Sequence, residues 1–404
     1  MASAVLPVMS DRRVALLGGL LASIGPVSMA LYTPAMTEIV QAFATTEARV
    51  KLTLALYFGG FACAQLVAGP LSDAIGRRPV TFGFMGIYAI ASLVALFAPN
   101  VEILMAARFA QGIGAAAGIT IARALVRDLF TGEKSARVMN IINIILALGP
   151  AMAPTIGGLL LVLAGWRSVF VAMALLGIAV ISLAGAFMRE TVVPEMRRLQ
   201  PGALVRTYGM VLGDARFRAA ATVVAGALGA IYAQSTFLPF ILMGQVGLTP
   251  AEFGAGMLFQ SGAFIGGSLM VARIMRRRGA EAAVGPGLVL VALGSLGSAL
   301  LHVWEPTFLR VMIPVAIFAV GISFVLPAMT TAALAPFPSS AGAASAMLGF
   351  LQMGSGLLVG LLGAWLGNAV WSMGTLIPAM GGVSCLGFLL GKRLQRQGDT
   401  GRPS

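Results

Sequence analysis

The sequence predicts an all-helical membrane protein of twelve transmembrane helices, arranged as two pseudo-symmetric six-helix bundles with both termini in the cytoplasm. Three observations lead there: an apolar composition, twelve stretches long enough to cross hydrocarbon, and a one-sided distribution of basic residues. The 404 residues are 58% hydrophobic and 10% charged, with a mean hydropathy of +0.94, whereas an ordinary soluble chain is about 25% charged. The 27 lysines and arginines exceed the 14 acids and give a formal charge of +13. In a soluble protein that balance would point to nucleic acid. In a chain this apolar it is a topology signal, and no nucleic-acid partner is expected.

A helix needs about 20 apolar residues to cross roughly 30 Å of hydrocarbon. Twelve stretches qualify: 14–33, 52–71, 80–97, 101–122, 136–163 and 169–187, then 219–241, 251–272, 283–301, 308–332, 343–366 and 371–390. The first follows Arg12 and Arg13 in the manner of a signal peptide. It is too long for a signal core and has no convincing cleavage site, so it reads as a retained helix. Pro99-Asn100, Gly165, Gly247 and Pro306 punctuate the turns.

With the N-terminus inside, 22 of the 27 basic residues fall in cytoplasmic segments, against Arg49, Lys51 and Arg167 outside. Arg108 and Arg310 fall inside spans. This is the positive-inside distribution. The longest loop follows the sixth span and divides the chain into bundles at 1–188 and 218–404, joined by a cytoplasmic linker at 189–217. The halves echo each other. Glycine followed by a basic cluster closes the second and eighth spans, and an arginine sits one to two turns into the fourth (Arg108) and the tenth (Arg310). Such a parallel duplication is a transporter architecture.

Gly69-Pro70-Leu71-Ser72-Asp73-Ala74-Ile75-Gly76-Arg77-Arg78-Pro79, after the second span, resembles the signature loop of the major facilitator superfamily. The resemblance implies a cytoplasmic latch formed by Gly69, Asp73, Gly76, Arg77 and Arg78. Asp73 would face the amino end of a helix in the other half, where the helix dipole favours an anion. The eleventh helix, beginning after Ser339-Ser340, is the candidate partner. The fourth span, with Arg108, Gln111, Gly112 and Gly114, is similar to the superfamily's second motif. In the fifth span, Gly149, Pro150, Pro154, Gly157 and Gly158 resemble its antiporter motif, found in exporters. Tyr32-Thr33-Pro34-Ala35, the run from Ile121 to Phe130, and Gly165-Trp166-Arg167 are similar to the bicyclomycin- and chloramphenicol-resistance branch of drug:proton antiporters. That branch commonly carries an acid two positions before the first-span tyrosine; here the residue is Ala30.

The remaining candidates follow from depth in the membrane. Arg108 lies roughly 10 Å below its helix end and costs at least about 2–3 kcal/mol unless it meets water or a polar partner. It is read either as snorkelling or as a coupling residue facing a cavity. All 14 acids fall in loops or near span ends. Glu38 is the nearest substitute proton carrier, or else an interfacial anchor; Arg310 is the third coupling candidate. Met29, Tyr32, Tyr57, Asn143, Tyr232, Gln234, Phe237, Gln260, Gln352 and Met353 are the candidates to line a substrate cavity between the halves near the bilayer midplane. Cys63 and Cys385 read as small buried residues, and with one histidine, His302, no metal or other cofactor is expected.

The expected protein is a secondary-active multidrug efflux transporter in the bacterial inner membrane, a monomer. It would exchange protons for small amphipathic substrates by rocker-switch alternating access, and it is not an enzyme. An uptake or metabolite carrier on the same fold is the alternative, and a non-transporting membrane sensor a more distant one.

Overall fold

A computed structural model describes residues 9–338 and 340–400, and for 197, 198 and 394–400 the backbone alone. Ser339, named above as preceding the eleventh helix, and Arg402, one of the basic residues counted above, lie outside the described residues. The first part of the chain forms α1 (Asp11–Tyr32), a 3-10 turn (Thr33–Ala35), α2 (Met36–Ala42), α3 (Glu47–Ile75), α4 (Arg77–Leu96), α5 (Val101–Leu129), α6 (Gly132–Ala164) and α7 (Arg167–Phe187). After α8 (Pro201–Gly213) come α9 (Ala215–Leu242), α10 (Pro250–Arg278), α11 (Glu281–Ala299), α12 (Phe308–Leu334), α13 (Ala341–Leu366) and α14 (Ala369–Thr400). Twelve helical stretches are long and apolar enough to cross a membrane, with α1 and α2 forming one of them. An even number of spans puts both chain ends on one side, called here the terminal face; the opposite side is the distal face. The segment read from sequence as a linker loop contains α8, which is too short to span.

Local chemistry sets the ends of these helices. Asn100 accepts from the Ile103 amide at 2.9 Å and Asp214 from Phe217 at 2.8 Å. Thr249 and Glu252 form a reciprocal capping box with Pro250 in the first turn. Between the ends, every backbone group in hydrocarbon needs a partner, which the helix supplies. Prolines break that rule, and neighbouring hydroxyls repair it at two of them. Pro34 has no amide for the Ala30 carbonyl, and the Thr33 hydroxyl donates there at 2.9 Å. Pro70 likewise leaves the Leu66 carbonyl free, and Tyr208 of α8 donates to it at 2.5 Å. Burial pushes the Tyr208 phenol above its ordinary pKa.

Small residues let the helices approach closely, as in other membrane bundles. Gly60 of α3 stands against the Phe109 carbonyl of α5, and Gly112 of α5 against the Tyr57 carbonyl of α3. Gly114 packs on α4 at Tyr88, and Gly118 on α1 at Leu21. In this way α5 sits inside a first set of helices, α1 and α3–α7, while α9–α14 pack as a second set. The sets meet along α3 with α13 and α6 with α10. Outward faces are apolar and open, as at Leu163 (80% exposed) and Trp365 (82%), which suits lipid.

Candidate functional site

The side chain of Arg108 is completely buried. Its guanidinium carbon lies 4.3 Å from the ring centroids of both Tyr32 on α1 and Tyr57 on α3. Nη1 donates to Gln111 Oε1 and lies 3.9 Å from Met173 Sδ on α7. Gln111 in turn donates to Ser92 Oγ on α4 at 2.7 Å. The tyrosine hydroxyls point elsewhere: Tyr32 pairs with Thr53 at 2.6 Å, and Tyr57 donates to the Gly25 carbonyl at 2.9 Å. Residues of four helices, α1, α3, α5 and α7, thus meet one cation with ring faces, an amide and a thioether. Arg108 therefore does not snorkel, and cation–π attraction offsets part of the cost of its burial.

A second buried cation closes the distal face. Lys51, read from sequence as an outer loop residue, occupies the second turn of α3 with its side chain fully buried. Its Nζ donates across the two sets to the Gly367 carbonyl at 2.6 Å, with Glu47 one turn back at 3.1 Å. The rings of Phe240 and Phe237 on α9 lie 5.1 and 5.8 Å from it. Gly367 has φ +76°, which ends α13 and which an L side chain would strain. Nearby, Thr155 on α6 donates to the Gly254 carbonyl on α10 at 2.8 Å, and Gly158 abuts the Pro250 carbonyl. Nearer the terminal face both helices carry exposed side chains. Asn143, Ile144 and Leu148 on α6 and Leu269 and Met270 on α10 are exposed there. Nothing comes within 4 Å of where a Cβ would stand on Gly262 or Gly266.

On the terminal face Arg77 ties a knot within the first set. It donates to Asp128 at 3.0 Å and Ser72 at 2.6 Å, and pairs with Asp73. Glu190, just after α7, caps α4 by accepting from the Arg77 and Arg78 amides at 2.8 and 3.1 Å. Thr191 adds a bond to Asp128 at 2.9 Å. Across the sets, Arg123 donates to Ser345 of α13 at 3.2 Å.

The family model described as Major Facilitator Superfamily matches residues 18–364. The chain belongs to this superfamily. It is 28% identical to Multidrug resistance protein D of Escherichia coli over 94% of the chain and 96% of that protein. It is also 28% identical to a chloramphenicol resistance protein of Pseudomonas aeruginosa, over 94% and 91% respectively. Among solved structures, a bacterial homologue of the human lysosomal transporter Spinster superposes with a TM-score of 0.72 at 15% identity, over 95% of this chain and 97% of that one.

Against this superfamily fold the motif residues take definite places. Asp73 bonds to Arg77 on its own helix, and among the described residues no ion pair or hydrogen bond joins it to α13. Of the antiporter motif, Gly149 faces Val27 and Gly157 faces the Leu31 carbonyl, seating α6 on α1, while Gly158 seats it on α10. Pro150 and Pro154 both lie inside α6.

Several other sites differ from the sequence reading. Arg310 is not an intramembrane counterpart of Arg108. It is exposed in the first turn of α12, donates to the Glu305 carbonyl at 3.1 Å and lies over Trp304, because the helix begins at Phe308. Glu38 caps the start of α7, accepting from the Trp166 amide at 3.3 Å. Tyr32 and Tyr57 turn their rings onto Arg108 rather than into open space, and Phe237 lies under Lys51. Asn143 is exposed on α6. Tyr232 stacks on Phe58 across the sets at 4.6 Å, and Gln260 donates to Gln234 at 2.6 Å. Met29, Gln352 and Met353 are half-buried. Cys63 is exposed and not, as expected, a buried filler. Sequence reasoning missed the cross-set role of Lys51 and the roles of Glu190 and Tyr208.

Proposed function

We propose that the chain exports small amphipathic drugs in exchange for protons, as a monomer in the bacterial inner membrane with both termini cytoplasmic. The observation carrying this is the full-length likeness to Multidrug resistance protein D, supported by the antiporter-type glycines seating α6 on both α1 and α10. In this topology the distal face is the outer face, and the conformation described is closed to the outside. Outward opening then requires three contacts to break: Lys51 with Gly367, Thr155 with Gly254, and Gly158 with Pro250. Asp73 would exchange its Arg77 partner for the amino end of α13 as the cytoplasmic side closes. The bundles at 1–188 and 218–404 would rock as units about the linker at 189–217.

Substrate would sit between the bundles, against Tyr232, Gln234, Gln260, Gln352, Met29 and Met353. Arg108 is the coupling residue in this proposal, because a buried cation responds electrostatically to a proton or a charged substrate entering nearby. Glu38 serves as a helix cap and Arg310 as an interfacial anchor. Efflux of chloramphenicol and ethidium from intact cells tests the reading. Export is expected to stop when the proton gradient is collapsed, to fall at least about tenfold in Arg108→Ala, and to persist in Glu38→Gln, which keeps a capping oxygen. Export that survives gradient collapse would sink the exchange mechanism. Accumulation driven inward would favour an uptake carrier, a reading that Ala30 in place of the branch's acid leaves open.

A further inference from the structure

The guanidinium of Arg108 has two edges, and they are treated differently. Nη1 faces Gln111 and Met173. On the opposite edge, Nε and Nη2 are buried and have no hydrogen-bond partner. These two N–H groups point in parallel and form the side-on fork with which arginine grips a carboxylate. A buried cation without an anion, and buried donors without acceptors, are both strongly unfavourable. Among the described residues no carboxylate forms an ion pair with Arg108, and every acid of the chain lies in a loop or near a span end. The ring faces of Tyr32 and Tyr57 attract the cation but accept no hydrogen bond from this edge, and their hydroxyls are committed to Thr53 and Gly25.

We propose that the Nε–Nη2 edge of Arg108 is a recognition site for the carboxylate of an amphipathic, aromatic or alicyclic monoanion. The two tyrosine faces hold the guanidinium in plane for such an in-plane grip. Tyr57 also leads to the boundary between the bundles. Its neighbour Phe58, 6.1 Å away ring to ring, stacks on Tyr232 of the second set. The cargo thereby supplies the negative charge that the chain does not place beside Arg108. This rests on the transport reading only for its consequence, that organic anions are among the exported substrates.

The test uses the purified full-length protein, titrated with sodium benzoate, with neutral benzamide, and with sodium chloride at matched ionic strength, while thermal unfolding is followed. Benzoate is expected to raise the melting temperature saturably, as a ligand of the folded state must, and the other two are not. Arg108→Lys keeps the charge but loses the fork and should weaken benzoate at least about tenfold. Because a variant of a buried arginine can fail to fold, Gln111→Glu provides a second route. It brings a carboxylate to the guanidinium from within and should weaken benzoate by a similar factor. Equal shifts with benzamide, a shift with chloride alone, or unchanged benzoate affinity in the folded variants would overturn the proposal. Failure here with intact chloramphenicol efflux removes only the anion site. Benzoate binding without any efflux removes only the transport reading.

Discussion

Replacing Lys51 with methionine keeps the apolar stem and removes the ammonium, and it should loosen the distal closure. The bond to Gly367 joins a charged donor to a backbone carbonyl at 2.6 Å. Hydrogen bonds to charged groups are worth about 1.5–3 kcal/mol net of water exchange. The rings of Phe240 and Phe237 add about 0.5–1 kcal/mol as a weak cation–π term. The pair with Glu47 lies within one helix and survives opening, so it does not distinguish the conformations. The cross-set contribution is then about 2–4 kcal/mol, and its loss should raise the ratio of distal-open to distal-closed molecules about 30- to 800-fold. The measurement is a spin-label distance distribution between Gln41→Cys, on α2, and Gln245→Cys, after α9, in a background lacking Cys63 and Cys385. Both labelled positions are exposed. Lys51→Met should shift the population toward the longer distance, whereas Lys51→Arg should retain much of the closed form. A ratio unchanged within about threefold would falsify the view that Lys51 holds the distal face shut.

Other perturbations separate packing from function. Tyr208→Phe leaves the Leu66 carbonyl freed by Pro70 without a donor, and should cost about 1–3 kcal/mol of stability in a denaturation series. Since burial raises the Tyr208 pKa above its ordinary value of 10.0, this stabilisation is complete below pH 10 and lost as pH rises through the folded-state pKa, which an alkaline unfolding titration reads. Gly158→Val forces bulk against the Pro250 carbonyl, and should bias the same spin-label pair toward the open distance without abolishing folding. Arg77→Lys loses the simultaneous contacts with Asp128 and Ser72 and should lower melting temperature and efflux together, while Arg310→Ala, exposed in its first turn, should leave efflux within about twofold of the parent.

The spans were legible because a membrane imposes a length and a composition on each segment separately. The motif residues were legible as strings, but their partners were not. Lys51 and Gly367 are 316 residues apart, Tyr208 and Leu66 142, and Arg77 and Glu190 113. Nothing local at Lys51 separates a buried clamp from a hydrated loop lysine, except that Glu47 stands one turn back and Leu52 opens an apolar run. Reading Arg310 as a twin of Arg108 failed for a related reason. Symmetry of sequence position gave no helix start, and two turns of depth against less than one decide whether an arginine is buried or interfacial.

That failure bears on function. Among the described residues, the buried charged side chains are Lys51, Arg77 and Arg108, all in the first set of helices; the second set buries amides and hydroxyls but no charge. The two halves share an architecture and differ in electrostatics. If the chain rocks between two closures as proposed, such asymmetry would assign the charge-sensing steps to one half. Lys51 reaches out of the first set to the Gly367 carbonyl on the distal face, and Arg77 pairs with Asp73 on the terminal face. Arg108 lies between them in the same set of helices. If Arg108 binds cargo as proposed, its occupancy would bias both ends without a separate relay through the second half, whose contacts with first-set cations are neutral: Gly367, Phe237, Phe240 and Ser345.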